Sequence, residues 1–190
     1  NVKEWGAVPD STLSTLNTNN APIIQSMVDY LATVGGGRIH TPAPNVNEAE
    51  YGMQKPNATT ACVTVTSSSV TISGDGPASI WKTYLDEDIP LHFSTEADIT
   101  VVSMVGDPVA DFEVYGMHIK GTNNYTNFGL AEGRGILFRN AKDVSVHDNT
   151  ITSMSMIGIC AEQGDGYFRV QNNQIHSCRY TGINYNGRCY

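Results

Sequence analysis

Glu162 and Asp165 stand three residues apart on one loop-like segment behind the run Gly158-Ile159-Cys160. Two carboxylates held close together suit acid–base work at a glycosidic bond, one donating a proton and the other acting as base or nucleophile. Asp148 is a third candidate carboxylate, and its neighbour His147 has the one side chain that titrates near neutral pH unaided. Tyr185 offers a ring on which a sugar can stack, and Arg188 a cation for an anionic group. These assignments make Glu162, Asp165 and Asp148 the catalytic candidates, and Tyr185, Arg188 and His147 the substrate-binding ones. Each has a plainer reading as well. Asp165-Gly166 is an ordinary turn dipeptide, His147 a solvated surface histidine, and tyrosines fill the surfaces of repeat folds. No metal ligand set is expected, since Cys-x-x-Cys is absent and His40, His92, His118, His147 and His176 are scattered. Gly35-Gly36-Gly37 follows a helical pattern where a phosphate loop precedes one, so no nucleotide or other cofactor is expected.

Position along the chain places those residues. Val144, Val146, Asn149, Ile151, Gly158 and Ile159 are matched 24 residues later by Phe168, Val170, Asn173, Ile175, Gly182 and Ile183. A fixed period of two dozen residues marks a solenoid, in which each repeat buries its apolar side only against its neighbours. Inside each repeat the alternation has period two, as in a strand. Short strands stacked at that interval describe an all-β, parallel β-helix. Phe112, Val114 and Ile119 precede Val144, Val146 and Ile151 by 32, the excess lying in Gly121–Gly133, the expected protruding loop. Asn149 and Asn173 at one corner predict an internal ladder, with the asparagines tolerating a left-handed backbone. Gly158 and Gly182 read as corner residues with positive φ.

The first 44 residues have a different pattern. Val2–Val8 reads as a short strand, followed by a polar loop to Asn19. Asn20 suits a helix N-cap, Pro22 the first turn, and Gly35 a left-handed stop. Ile23, Ile24, Met27, Val28 and Leu31 share one helical face. Residues 43–61 read as a loop-rich insertion. Cys62–Ser73, Ile99–Val105 and Asp111–Ile119 supply further strands, giving about five coils over 62–190.

The chain has 190 residues and a net charge of −8. That charge argues against nucleic acid, whose affinity comes from Lys and Arg on phosphates. It favours neutral glycans, or anionic ones bridged by a cation. No apolar run approaches the ~20 residues of a membrane-spanning helix. Cys62, Cys160, Cys178 and Cys189 form no tight framework and read mostly as thiols, with a Cys178–Cys189 bridge left open.

Val2, Gly6-Ala7, Asp10, Ala21, Ile24-Gln25, Val28-Asp29, Gly35-Gly36-Gly37, Ile39 and Pro42 resemble the N-terminal cap of the pectate-lyase-like, single-stranded right-handed β-helix superfamily. That group includes bacteriophage tailspikes, polygalacturonase-like hydrolases and polysaccharide lyases. The resemblance implies an N-terminal capping α-helix over 1–44 that plugs the solenoid, with coils from 45 to 190. Two departures stand out: Ser11–Thr18 replaces an acidic, Gly-containing segment, and neither a paired-Asp nor an Asp-Pro-His signature is present. It further implies a virion or extracellular protein that binds and cleaves cell-surface polysaccharide as hydrolase or lyase, with a homotrimer or appendage neighbours as partners. The alternative is a non-catalytic structural or receptor-binding β-helix. Without a second cap after Tyr190, the chain is expected to be the N-terminal part of a longer solenoid, or to have its stack continued by a partner.

Overall fold

The computed structural model describes residues 1–12, 15–54, 61–84, 97–102, 109–121, 134–154, 156–162 and 167–186. A 3-10 turn, Val2–Trp5, opens the chain and leads to helix α1 (Ala21–Val34). The first coil is β1 (Gly37–Thr41), β2 (Tyr51–Gln54) and β3 (Val63–Val65). Three similar coils follow: β4 (Val70–Gly74), β5 (Ile80–Tyr84) and β6 (Ala97–Val102); β7 (Val109–Tyr115), β8 (His118–Lys120) and β9 (Arg134–Arg139); β10 (Ala141–His147), β11 (Thr150–Thr152) and β12 (Ile157–Glu162). The last coil is β13 (Phe168–Gln171), β14 (Gln174–His176) and β15 (Thr181–Asn186).

Every third strand joins the same sheet, giving three five-stranded parallel sheets. The first is β1-β4-β7-β10-β13, the second β2-β5-β8-β11-β14, and the third β3-β6-β9-β12-β15. This is a single-stranded right-handed parallel β-helix with an N-terminal capping helix, the hand that β-crossover connections adopt.

The expected register holds pair by pair. Val144 lies level with Phe168 and Val146 with Val170, while Phe112 and Val114 lie level with them on the preceding coil. Ile119, Ile151 and Ile175 stack on the second sheet, and Ile136, Ile159 and Ile183 on the third. Each buried aliphatic contributes roughly 1.5–3 kcal/mol. The rings of Phe112, Phe138, Phe168 and Tyr185 interlock edge to face through the interior, at centroid separations of 5.9, 5.8 and 5.5 Å.

The Asn ladder is present. Asn173 Oδ1 accepts from the Asn149 backbone N–H and side-chain amide, both at 3.1 Å, and Asn149 Oδ1 accepts from Met117 N–H at 3.1 Å. The left-handed residues of this corner, however, are Asp148 (φ 55) and Asn172 (φ 53), one position earlier than expected. Gly158 and Gly182 do not have positive φ either. What requires glycine at 158 is space: a Cβ there would lie 2.6 Å from the Gly182 carbonyl oxygen and 2.6 Å from Ile175 Cγ2.

At the N-terminal end, α1 packs on β1, β2 and β3, the first strand of each sheet, and so closes the coil. Ile24, Met27 and Val28 are buried, with Ile23 and Leu31 packed beside them. Gly35 stops the helix at φ 85, donating its N–H to Leu31. Two expectations are corrected here. Val2–Trp5 is a 3-10 turn and not a strand, because the Asn1 side chain accepts from Lys3 N–H and Gly6 closes the turn at φ 96. Asn20 stands at the N-cap position but its side chain makes no capping bond. It is buried, and it ties Val8 and Gly52 together while Asn19 Oδ1 accepts from Ala21 N–H. Segment 43–61 also contains β2, whose residues lack the alternation of a one-sided strand because Tyr51, Gly52 and Met53 are all buried.

Candidate functional site

Strand alternation turns Ile39, Ile72, Val114, Val146 and Val170 of the first sheet inward and their neighbours outward. The outward residues form two rows across the coils. His40, Ser73, Tyr115, His147 and Gln171 are level with one another, as are Arg38, Thr71, Glu113, Ser145 and Arg169. Parallel strands lie about 4.8 Å apart, so these side chains stand within reach of one another along the coil axis. A short contact network results. His147 Nδ1 lies 2.7 Å from Asp148 Oδ2, and Nε2 lies 3.2 Å from Glu113 Oε1. The Tyr115 ring stacks on the imidazole at 5.1 Å and 8°. The Arg38 guanidinium lies over the Tyr115 ring at 5.4 Å.

Electrostatics follow from that geometry. The hydrogen bond to Asp148 raises the His147 pKa above its ordinary value; burial opposes it, and the bond to Glu113 adds to the rise. The same contact lowers the Asp148 carboxyl. With both ring nitrogens facing carboxylates, the contacts favour the imidazolium, whose two N–H groups each find an acceptor. A partly exposed imidazolium between two carboxylates is equipped to give a proton to a ligand oxygen.

The residues singled out from sequence are divided by the fold. His147 and Asp148 are brought together as described. Glu162 lies at the end of β12, on the third sheet. Its Oε2 is 3.0 Å from Arg139 Nε and its Oε1 is 3.3 Å from Arg134 Nη2, so two guanidinium groups hold it. Cys160 Sγ approaches the same carboxylate at 3.7 Å, and burial pushes its thiol up to about 11. Tyr185 turns inward against Phe168. Asp165 and Arg188 lie outside the described residues, as does the Gly121–Gly133 loop from residue 122 onward. Sequence reading missed Glu113, Tyr115 and Arg38. The 32-residue shift that aligns Phe112 with Val144 also aligns Glu113 with Ser145 and Tyr115 with His147, so the signal for two of them was there.

A second polar group covers the outside of the second sheet. Lys82 is almost wholly buried and donates to the Thr12 carbonyl at 3.0 Å. Glu50 Oε1 accepts from Lys120 at 2.5 Å, while its Oε2 lies 3.8 Å from Lys82. Tyr84, whose hydroxyl also meets Thr12, has its pKa raised to about 12, chiefly by burial. His118 bonds Thr152 Oγ1 at 2.9 Å, and burial, reinforced by Lys120, lowers its pKa. This group clamps the N-terminal segment onto the coil. Among the described residues, no cluster of three or more His, Cys, Asp and Glu is placed to hold a metal ion, and no helix is long and apolar enough to cross a membrane.

No protein-family model and no curated protein sequence matches the chain. Solved structures do. The A-module of Azotobacter vinelandii mannuronan C-5 epimerase AlgE6 aligns with a TM-score of 0.69 at 19% identity, over 98% of this chain and 48% of that one. The A-module of the A. vinelandii epimerase AlgE4 aligns at 0.63 and 18%, over 97% and 52%. ORF18 of Geobacillus virus E2 aligns at 0.63 and 17%, over 86% and 27%. The chain therefore spans about half the length of the two epimerase modules, and at these identities the likeness is one of fold.

Proposed function

We propose that this β-helix acts on polysaccharide, laying the glycan along the coil axis over the outer face of the first sheet and hydrolysing it there. The observation that carries the reading is His147, held between Glu113 on the preceding coil and Asp148 on its own, with Tyr115 stacked against it. In the proposed reaction the glycosidic oxygen takes the place of Glu113 at Nε2–H and accepts that proton as the C1–O bond breaks. Glu113, released, takes a proton from the water that attacks C1. Asp148 keeps hold of Nδ1–H and so positions the ring. Acid and base thus come from adjacent coils; they touch at 3.2 Å at rest, and the sugar must part them to the roughly 6.5–9.5 Å that direct attack of water at C1 needs. Support in kind comes from two fold neighbours named for action on mannuronan and a third from a bacteriophage. A place on a virion or outside the cell, and a trimeric assembly of tailspike type, belong to the same proposal.

The test is incubation with host capsule or exopolysaccharide, assaying new reducing ends and 4,5-unsaturated products separately. Reducing ends without unsaturation, abolished by Glu113→Gln, are the expected result. Unsaturated ends overturn hydrolysis in favour of elimination. Binding with no cleavage by wild-type protein leaves a non-catalytic receptor-binding β-helix as the reading.

A further inference from the structure

One part of the same outer face is not used by that reaction. His40 on β1 and Ser73 on β4 are directly level, and Asp75 follows in the turn after β4. Ser73 Oγ lies 3.2 Å from His40 Nδ1, and His40 Nε2 lies 3.2 Å from Asp75 Oδ1. From these contacts we infer a second catalytic centre, a Ser73–His40–Asp75 triad that hydrolyses acyl esters; its assignment to ester groups carried by a glycan rests on the function proposed above.

The hydrogen-bond roles are determined by the acceptor at each end. A carboxylate only accepts, so Nε2 must carry the hydrogen that faces Asp75, and an imidazole with its one hydrogen at Nε2 presents a lone pair at Nδ1. Nδ1 can therefore take the Ser73 proton. The second Asp75 oxygen accepts from Ala43 N–H at 3.0 Å, which anchors the carboxylate. The nucleophile–base and base–orienter contacts fall within the reach a triad requires, and such triads are recognised by geometry and role, not by order along the chain. Arg38 completes the arrangement. Its Nε donates to Ser73 Oγ at 2.8 Å, so a guanidinium stands beside the nucleophile and can stabilise a carbonyl oxygen gaining negative charge only after leaving that hydroxyl. Ser73 has no exposed surface at rest. Arg38, an exposed side chain resting on its hydroxyl, must swing toward the incoming carbonyl to admit it.

The step balances with water as the only co-reactant. Ser73 Oγ attacks the acyl carbon while its proton passes to Nδ1. The ester C–O bond then breaks and the departing alcohol takes that proton. Water, deprotonated by Nδ1, releases the carboxylic acid from Ser73 and restores the hydroxyl. Glycan hydroxyls carrying acetyl groups are the smallest substrates that fit a serine so closely covered.

The test uses the full chain with p-nitrophenyl acetate and a fluorophosphonate probe, neither of which depends on any glycan. Expected are nitrophenol release and a single covalent adduct on the peptide bearing Ser73, both lost in Ser73→Ala and both kept in Ser26→Ala. Asp75→Asn, at a half-exposed carboxylate, is expected to slow release about 100-fold or more with an unchanged melting temperature. This second variant keeps the test decisive if Ser73→Ala fails to fold. No adduct at Ser73, or release indifferent to Asp75→Asn, overturns the triad. Acetate release from an acetylated xylan oligosaccharide is the second arm. Ester hydrolysis at Ser73 without that release upholds the serine centre and overturns its assignment to glycans, whereas glycan cleavage with an inert Ser73 overturns the triad and leaves the glycan cleavage proposed above standing.

Discussion

Lys82 on the second sheet keeps 4% of its side chain exposed, and its ammonium is surrounded by Thr12, Glu50 and the Tyr84 ring. His147 on the first sheet keeps 26%, with Glu113 and Asp148 around it at 40% and 56%. Both faces set cations against carboxylates across neighbouring coils, yet they do different work. On the second sheet the N-terminal segment lies on top, water is excluded, and burial disfavours charge: the pKa values of Lys82 and His118 both fall. On the first sheet His147 and its carboxylates stay partly open, the carboxylates dominate, and the pKa of His147 rises. The same chemistry fastens the chain where it is buried and, in the reaction proposed above, supplies a proton where it is open.

The largest effect expected from disturbing this contrast is on the buried side. Glu50→Ala leaves two ammonium groups facing each other without their shared carboxylate, and urea denaturation should show a loss of about 3 kcal/mol. Adding Lys82→Met should recover much of it. A loss below about 1 kcal/mol would place Glu50 in solvent and erase the difference between the faces. His147→Gln on the open side should do the opposite. Glycan cleavage should fall about 100-fold, while stability should change by less than about 1 kcal/mol, as for exposed ion pairs.

Asn149 sits at the corner between the two faces. It is buried, and its amide also donates to the Val114 carbonyl at 3.0 Å. Asn149→Ala should cost about 2 kcal/mol, read from the same denaturation curves, and should loosen both faces together. The smallest effect is also the most specific, because the two histidines should respond to pH with opposite signs. His147 has a raised pKa when folded, so its contribution to stability is fully present below the unfolded value of about 6.5. It fades as pH climbs through the raised value. His118 has a lowered pKa when folded, so the unfolded chain takes up the proton first. Stability is lost as pH falls below about 6.5, toward the folded value. Melting curves of His147→Gln and His118→Gln against wild type, taken from pH 5 to 8, should diverge in opposite directions. Parallel shifts would refute the assignment of both environments.

The coil was visible in the sequence because a solenoid repeats its inward side chains at a constant interval. Val144, Val146 and Ile151 had partners of like shape at both +24 and −32, and every one of those pairs is level in the structure. The capping helix was visible for a similar reason, through one apolar face ended by Gly35. Local backbone detail was less so. The left-handed corner falls at Asp148 and Asn172, and Val2–Trp5 winds as a 3-10 turn, because single hydrogen bonds decide such points and leave no periodic trace. The site was legible only where the register was already known: His147 and Asp148 were nominated, but their partners on neighbouring coils were not.

Periodicity, turn chemistry and a one-sided helix were thus enough to specify the winding, the plug and the stacked asparagines, all of which follow from interactions between like residues or near neighbours. Which polar side chains meet outside the coil was decided by tertiary structure alone. Outward positions carry no repeated residue type, and coil lengths vary between β1 and β7. His40 therefore finds Ser73, and His147 finds Glu113, only once the strands are laid side by side. The pKa directions depend on burial, and burial at Lys82 and His118 is set by how the N-terminal segment and neighbouring coils close over them, which no local pattern encodes.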